Sequence, residues 1–228
     1  MISINQYIQE RLFVKKKTYK YFPETKEELQ ELIEQLIQER GNDGDFNDID
    51  TSDITDMSEL FKDMEKFNGD ISCWDVSNVT NMRAMFYNCN SFNQPLNDWN
   101  VSNVENMELM FFVCEIFNQP LDKWIVSNVN NMGAMFYDCH KFNQALNNWD
   151  VSKVTDMIQM FQSCYSFNQP LDKWNVSNVT DMRYMFNRCK SFNQNISNWD
   201  VSNVEKWGVD VFKECPMNKQ AKYKPKFK

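Results

Sequence analysis

Apolar residues recur along the chain with a period of 25 residues, and this periodicity governs the structural predictions. Three sets of equivalent positions, here called columns, keep the period without a gap. They are Trp74, Trp99, Trp124, Trp149, Trp174 and Trp199; Cys89, Cys114, Cys139, Cys164 and Cys189; and Phe67, Phe92, Phe117, Phe142, Phe167 and Phe192, each followed by asparagine. A spacing kept over six units predicts a tandem-repeat protein in which each 25-residue unit forms one coil.

Two shorter apolar patterns inside a unit predict two local elements. In residues 82–89 the apolar side chains stand at i, i+3, i+4 and i+7, the spacing of one helical face. Residues 96–101 give the pattern L-x-x-W-x-V, which is similar to the L-x-x-L-x-L strand of leucine-rich repeats. Each coil is therefore predicted to hold a short strand around Trp-x-Val and a short helical turn around Met-x-x-Met-Phe.

The fold class follows from the weakness of a single coil. Burying one large apolar side chain contributes roughly 1.5–3 kcal/mol, whereas ordering 25 residues costs on the order of 25–50 kcal/mol of backbone entropy. Each coil therefore needs neighbours on both sides. The predicted fold is an α/β repeat, a leucine-rich-repeat-like solenoid of 25-residue coils with an N-terminal α-helical cap.

The repeat pattern ends differently at its two sides. Thr25 to Glu28 form a capping box ahead of an apolar helical face, and Gly41 is a stop signal, which together predict an amphipathic helix at about 26–40. Ile49 occupies the tryptophan column, and Pro216 breaks the pattern at the far end. We predict an N-terminal cap region at 1–48, the solenoid at 49–215 and a basic C-terminal tail at 216–228.

The repeat strings resemble one known family. Units such as FNQPLNDWNVSNVENMELMF are similar to the 25-residue repeats of BspA-like leucine-rich-repeat proteins, which occur in host-associated bacteria and in surface lipoproteins of mycoplasmas. The resemblance covers roughly Ile49 to Cys215. It implies a leucine-rich-repeat solenoid used for adhesion or protein recognition, with no catalytic residues.

Charge is distributed unevenly and bears on the class of partner. The net charge is −8, with +4 in residues 1–22 and +5 in residues 216–228, which leaves −17 for the part between them. An acidic body repels a phosphate backbone, so no nucleic-acid binding is predicted. The basic ends are either solvated tails or contacts for an anionic partner.

Targeting signals are not evident in the sequence. Residues 1–17 have polar residues where a signal peptide needs an apolar core, and no run of 18 apolar residues occurs. We expect an intracellular protein without a membrane span. Surface or virion association becomes the expectation if a leader is missing or export is non-classical.

The cysteines and the histidine, which could bind a metal or take part in catalysis, do not occur in a pattern typical of either. Seven cysteines invite a metal or disulfide interpretation, but zinc sites use pairs two to four residues apart, whereas here the spacing is 25. The cysteine column is predicted to be buried and reduced, although stacked neighbours about 5 Å apart could also form a disulfide. His140 is the single histidine and is predicted to lie at the surface. No enzyme activity, cofactor or metal is predicted.

Binding residues are expected where the repeat varies while facing solvent. On the strand side the candidates are Asp98, Asn100, Lys123, Ile125, Asn148, Asp150, Lys173 and Asn175, among which Ile125 is the odd apolar residue. On the helical side they are Tyr87, Phe112 and Tyr137 in one column, with Tyr165 and Tyr184 nearby. Exposed aromatic residues are favoured at interfaces. Two alternatives remain open: unconstrained surface columns, or aromatic residues that pack between coils.

The predicted function is a non-catalytic protein-binding scaffold that uses the solenoid surface, monomeric or weakly self-associating. The alternative is a surface or virion-associated structural or adhesion protein that recognises a host protein or glycan.

Overall fold

The computed structural model describes residues 18–205 and 210–226. Residues 1–17 of the predicted cap region and residues 227–228 of the predicted tail lie outside this part. Helix α1 spans Lys26–Arg40, and two 3₁₀ helices span Pro216–Lys219 and Ala221–Tyr223. Within the described residues no extended strand forms, and single parallel bridges link consecutive coils instead.

The coils stack in parallel with a constant register. Each of the central bridges joins two residues 25 positions apart, and all of them run through one column. Its members are Asp56, Asn81, Asn106, Asn131, Asp156 and Asp181. The sequence period is therefore the structural period, and equivalent residues of successive coils lie side by side.

The segment after each bridge is a continuous series of turns, here called the turn ribbon (82–89 and its equivalents). Alternate amides of one ribbon donate to carbonyls of the next coil: Met82 to Asn106, Ala84 to Glu108, Phe86 to Met110 and Asn88 to Phe112, at 2.7–2.9 Å. The amides between them, of Met85, Tyr87 and Cys89, donate to carbonyls three residues earlier at 3.1–3.2 Å. The ribbon thus satisfies its amides both locally and between coils.

The local conformation of a coil differs from both predicted elements. The expected helical turn is the turn ribbon, in which Ala84 and Asn88 have φ of 54° and 59°. The expected strand around Trp99 consists of turns as well, since Trp99 N–H donates to the Leu96 carbonyl at 3.1 Å. A ribbon that turns in pairs of residues buries the same i, i+3, i+4, i+7 positions as a helix. These two local predictions were wrong, while the wider leucine-rich-repeat class stays a prediction.

One apolar core runs through the whole stack. The tryptophan, valine, methionine, phenylalanine, cysteine and leucine columns are buried. Phenylalanine rings stack from coil to coil, as between Phe86 and Phe111, whose centroids are 5.5 Å apart. Each buried indole donates across to the preceding coil, for example from Trp149 Nε1 to the Leu121 carbonyl at 3.0 Å. The buried polar atom of tryptophan is thereby satisfied.

Both ends of the core are covered. Helix α1 begins after Thr25, whose Oγ1 accepts the Glu28 N–H at 3.2 Å, and it ends before Gly41. Its inner face, including Leu29 and Ile33, is fully buried in the common core. At the other end Met217 is fully buried, and Ile196 N–H donates to the Tyr223 carbonyl at 3.0 Å.

Candidate binding surfaces

The eight candidate residues of the strand side form a continuous exposed margin, here called the tryptophan edge. They flank the buried tryptophans in consecutive coils, and all eight are exposed. They are Asp98, Asn100, Lys123, Ile125, Asn148, Asp150, Lys173 and Asn175. The structure therefore places them together on one side of the coils.

The column after each tryptophan has a local structural role. The side-chain Oδ1 atoms of Asn100, Asp150 and Asn175 each accept the N–H of the serine two residues later, at 3.1–3.3 Å. This is the turn-forming hydrogen bond that asparagine and aspartate commonly make. Ile125 stands in the same column without an acceptor group, and its side chain is 61% exposed.

The column before each tryptophan is joined from coil to coil. Lys123 Nζ lies 2.7 Å from Asp98 Oδ1, and this bond raises the pKa of Lys123. Lys173 Nζ donates to Asn148 Oδ1 at 3.3 Å. Exposed pairs of this kind contribute only about 0–1 kcal/mol. Among the eight residues of this edge, Ile125 is the one whose side chain makes no polar contact.

The aromatic candidates of the other side lie in three columns. The rings of Tyr87, Phe112 and Tyr137 stack in one column with centroids 4.5 Å apart. Tyr165 lies in another column, where its ring stacks on His140 at 4.5 Å. The rings of these two columns thus pack between coils, which was one of the alternatives left open by the sequence, and neighbouring rings cover each other's faces. Tyr184 lies half-buried in the third column.

Three aliphatic residues beside the aromatic column were not predicted from the sequence. Leu109, Val113 and Ile116 lie on the outer side of one coil; the first two are half-buried, and Ile116 is 45% exposed. Other coils hold Glu59, Ala84, Ala134, Gln159 and Tyr184 in the Leu109 column; Asp63, Asn88, Asp138, Ser163 and Arg188 in the Val113 column; and Lys66, Ser91, Lys141, Ser166 and Ser191 in the Ile116 column. A column-by-column comparison of the units would have found them.

These residues form, with the stacked rings, a second candidate surface, here called the ribbon patch. It consists of Tyr87, Leu109, Phe112, Val113, Ile116 and Tyr137. The turn ribbons hold the patch together, because Phe112 N–H donates to the Leu109 carbonyl at 3.1 Å and Val113 N–H donates to the Tyr137 carbonyl at 2.8 Å. Ile116 is its exposed member and the other five residues are half-buried; larger contiguous apolar patches on soluble proteins mark interaction sites.

The backbone at Val113 is strained for its residue type. Val113 has a φ of 58°, in the left-handed region that β-branched side chains rarely adopt. Asp63, Asn88 and Asp138 have the same conformation in the same column, at φ of 56–62°, and asparagine and aspartate tolerate it. Ser163 and Arg188 share it at φ of 60° and 59°, so the conformation belongs to the repeat, and Val113 is the β-branched residue among the described members of the column.

The thiol groups in the core are buried and hydrogen-bonded. Cys114 and Cys139 donate through Sγ to the carbonyls of Phe86 and Phe111 at 3.0 and 2.9 Å. Burial raises the pKa of both thiols well above the ordinary value. No disulfide joins cysteines within the described residues, and Cys73 is the exposed cysteine among them. Within the described part of the chain, no cluster of histidine, cysteine, aspartate or glutamate could hold a metal ion.

Stacked coils, closed ends and outward-facing patches define the chain as a tandem-repeat protein. It belongs to the family described as Mycoplasma protein of unknown function, DUF285, whose model matches residues 28–146 and 114–224. The two matches overlap and together include most of α1 and the stacked coils. Comparisons with curated proteins and with solved structures gave no match. In the described residues, no helix combines the length and apolarity required to cross a membrane.

Proposed function

We propose that this chain is a non-catalytic protein-binding scaffold of the BspA-like leucine-rich-repeat type, and that the ribbon patch is its contact surface. The observation that carries the proposal is Val113, an outward apolar residue in a left-handed backbone conformation. The bonds between coils impose this conformation, and a β-branched residue retained in it is one of the features that cluster at functional sites. Asn88 serves the same backbone position in the neighbouring coil, so the fold itself does not require valine there.

The composition of the patch supports a protein partner over a glycan. Sugar rings stack on open aromatic faces, whereas the rings of Tyr87 and Tyr137 cover both faces of Phe112. Ring edges and aliphatic side chains are instead suited to apolar side chains of another protein. Adhesion to a protein on a host surface, the alternative raised by the sequence, would use the same patch.

The tryptophan edge is the competing surface for the same function. Its polar residues are occupied by turn formation and by bonds between coils, which leaves Ile125 as its apolar contact point. An isolated exposed aliphatic residue is normal on protein surfaces. The ribbon patch combines three aliphatic and three aromatic residues, and we therefore assign the partner to it.

Site-specific photo-crosslinking in an extract of the source organism tests this assignment. A photoreactive phenylalanine replaces Ile116 in one variant and Ser191, its equivalent three coils later, in the matched control. A second pair places it at Ile125 and at Asn175 on the tryptophan edge. We expect a discrete crosslinked protein from position 116 alone.

Two results would contradict the proposal. A crosslinked protein obtained only from position 125 would move the partner to the tryptophan edge. Equal products from positions 116 and 191, or no product from any of the four, would argue against a binding role of the patch.

A further inference from the structure

We infer that the ribbon patch recognises a basic amphipathic polypeptide segment, with two or three apolar anchor side chains flanked by lysine or arginine. This inference rests on the proposed function, because it names the chemistry of the partner at the same surface. It is carried by the charges around the patch and not by its apolar residues alone.

The coil that supplies most of the patch is acidic throughout. Residues 99–122 contain Glu105, Glu108, Glu115 and Asp122 and no lysine or arginine. Two of these carboxylates bracket the apolar run ELMFFVCE, which extends from Glu108 to Glu115 and holds three residues of the patch. Glu105 and Glu115 are exposed. A partner that lies along this run therefore meets the exposed carboxylate of Glu115 at one end and Glu108, which is paired with Arg83, at the other.

Cations on the side of the preceding coils are engaged by carboxylates. Arg83 lies between Glu59 and Glu108, with N···O distances of 2.7 and 3.2 Å. Lys62 lies over the ring of Tyr87, and its Nζ is 3.1 Å from a carboxylate oxygen of Glu59. These two cations therefore add little positive potential to the patch.

The side of the next coil carries both signs of charge. His140 Nε2 lies 3.5 Å from Asp138 Oδ1, and Asp138 occupies the column of Val113. Lys141, in the column of Ile116, is the exposed cation of this side. With Glu59 and Glu108 balanced by Lys62 and Arg83, Glu115 and Asp138 still outnumber Lys141, so anionic partners such as phosphate backbones and acidic membranes are disfavoured.

The division of roles within the contact follows from general interface physics. Apolar anchors that become fully desolvated supply most of the affinity. Exposed rim charges accelerate association and make it dependent on salt, while each contributes little to affinity. A basic segment satisfies both requirements here, because its cations reach Glu108 and Glu115 when its anchors lie on Leu109, Phe112 and Val113.

An unbiased peptide selection tests the partner class. A random 12-residue display library is selected on the full chain and counter-selected on a double variant, Val113→Asn with Ile116→Ser. These substitutions install the residues that the neighbouring coil already uses at Asn88 and Ser91, so the variant is expected to fold. We expect the peptides that bind the full chain but not the variant to combine large apolar residues with at least two lysines or arginines.

A second measurement tests the role of the rim. The affinity of one selected peptide is measured by fluorescence anisotropy for the full chain and for Glu108→Gln with Glu115→Gln. Removal of two rim charges should weaken binding about three- to tenfold, since each exposed pair contributes roughly 0.2–1 kcal/mol. Higher ionic strength should weaken peptide binding to the full chain more than peptide binding to the variant.

The outcomes separate the two proposals. Selected peptides that are neutral or acidic, and that still require Val113 and Ile116, would overturn the basic partner class and leave the patch as the binding surface. Peptides that bind the double variant equally well, or a selection without enrichment, would overturn both.

Discussion

Replacing Val113 with asparagine should stabilise the protein while it removes binding. The backbone at this position is left-handed, with φ of 58°. For most side chains this conformation costs roughly 1–2 kcal/mol, and asparagine adopts it more readily than other non-glycine residues. The neighbouring Asn88 shows that the coil accepts asparagine there, with φ of 59° and a bond from Nδ2 to Asp63 Oδ1 at 3.1 Å.

Two opposing effects set the size of the expected stabilisation. Release of the backbone strain favours asparagine, whereas the packing of the valine methyl groups favours the native residue. The Val113 side chain is half-buried, so its removal costs a part of the roughly 1.5–3 kcal/mol that complete burial contributes. Half of that burial is about 0.75–1.5 kcal/mol, so the free energy of unfolding should rise by about 0.5 kcal/mol or less. For a chain of this size that corresponds to an increase of about 1–2 °C in Tm.

Urea unfolding followed by tryptophan fluorescence measures the change, because the tryptophan column is buried. The midpoint should rise while the slope stays constant, which indicates a change in stability alone. The reciprocal variant, Asn88→Val, is the control and should destabilise the protein by about 1 kcal/mol or more, since it introduces strain and removes a hydrogen bond. A Val113→Asn protein that unfolds at lower urea, or that binds its partner as before, would refute the reasoning.

Three further predictions concern the fold. Ile125→Asp should raise the free energy of unfolding by about 0.5–1 kcal/mol, because it restores the side-chain acceptor that forms the turn in its column. Asp150→Ala removes that acceptor and should lower the free energy of unfolding by about as much. Chemical denaturation of both variants measures the two changes. Trp149→Phe should lower the free energy of unfolding by about 1–3 kcal/mol, because the buried Leu121 carbonyl loses its hydrogen-bond donor. The equivalent variant Trp124→Phe should lower it by a similar amount. Unchanged unfolding midpoints in both variants would argue against a stabilising role of the indole bonds. Burial raises the pKa of the column thiols, that of Cys215 to about 11. Above about pH 9 only the unfolded chain releases these protons. The free energy of unfolding should therefore fall by about 1.4 kcal/mol per pH unit for each buried thiol, until the pH passes the pKa of the thiol in the folded protein. A free energy of unfolding that stays constant between about pH 9 and 11 would contradict this.

The register and the core could be predicted because they depend only on the period. Equivalent residues must lie side by side when every coil has 25 residues, and the apolar columns then have only the interior to occupy. The helix at 26–40 was predictable for a different reason, since Thr25 and Gly41 are local signals that do not depend on the rest of the fold.

The conformation inside a coil could not be predicted by the same reasoning. The apolar spacing of residues 82–89 fits a helix and a turn ribbon equally well. Glycine, the usual indicator of left-handed backbone, is missing from the Ala84 and Asn88 columns even though both have positive φ. Backbone bonds to the next coil stabilise this conformation, and no signal within one unit reports them.

The sequence allowed us to predict which candidate residues are exposed on the tryptophan edge, but not which partners their side chains contact. The tryptophan edge is exposed as expected, yet the bonds of Asn100 to Ser102 and of Lys123 to Asp98 depend on side-chain geometry. His140, expected at the surface, is half-buried, and its ring stacks on Tyr165. The ribbon patch was partly overlooked because helical periodicity gave no reason to consider its aliphatic residues together.

Because every coil pairs with the next in the same register, the length of the stack depends only on the number of coils. Bonds between the central coils join positions set by one repeat, so removing residues 149–173 would leave Trp174 to take the place of Trp149 with the same indole donor and the same neighbouring ring columns. Each coil adds about 4.8 Å, the spacing of hydrogen-bonded parallel segments. Gain or loss of whole units therefore changes the distance between the two caps in equal steps, while the ribbon patch keeps its shape and its place relative to α1.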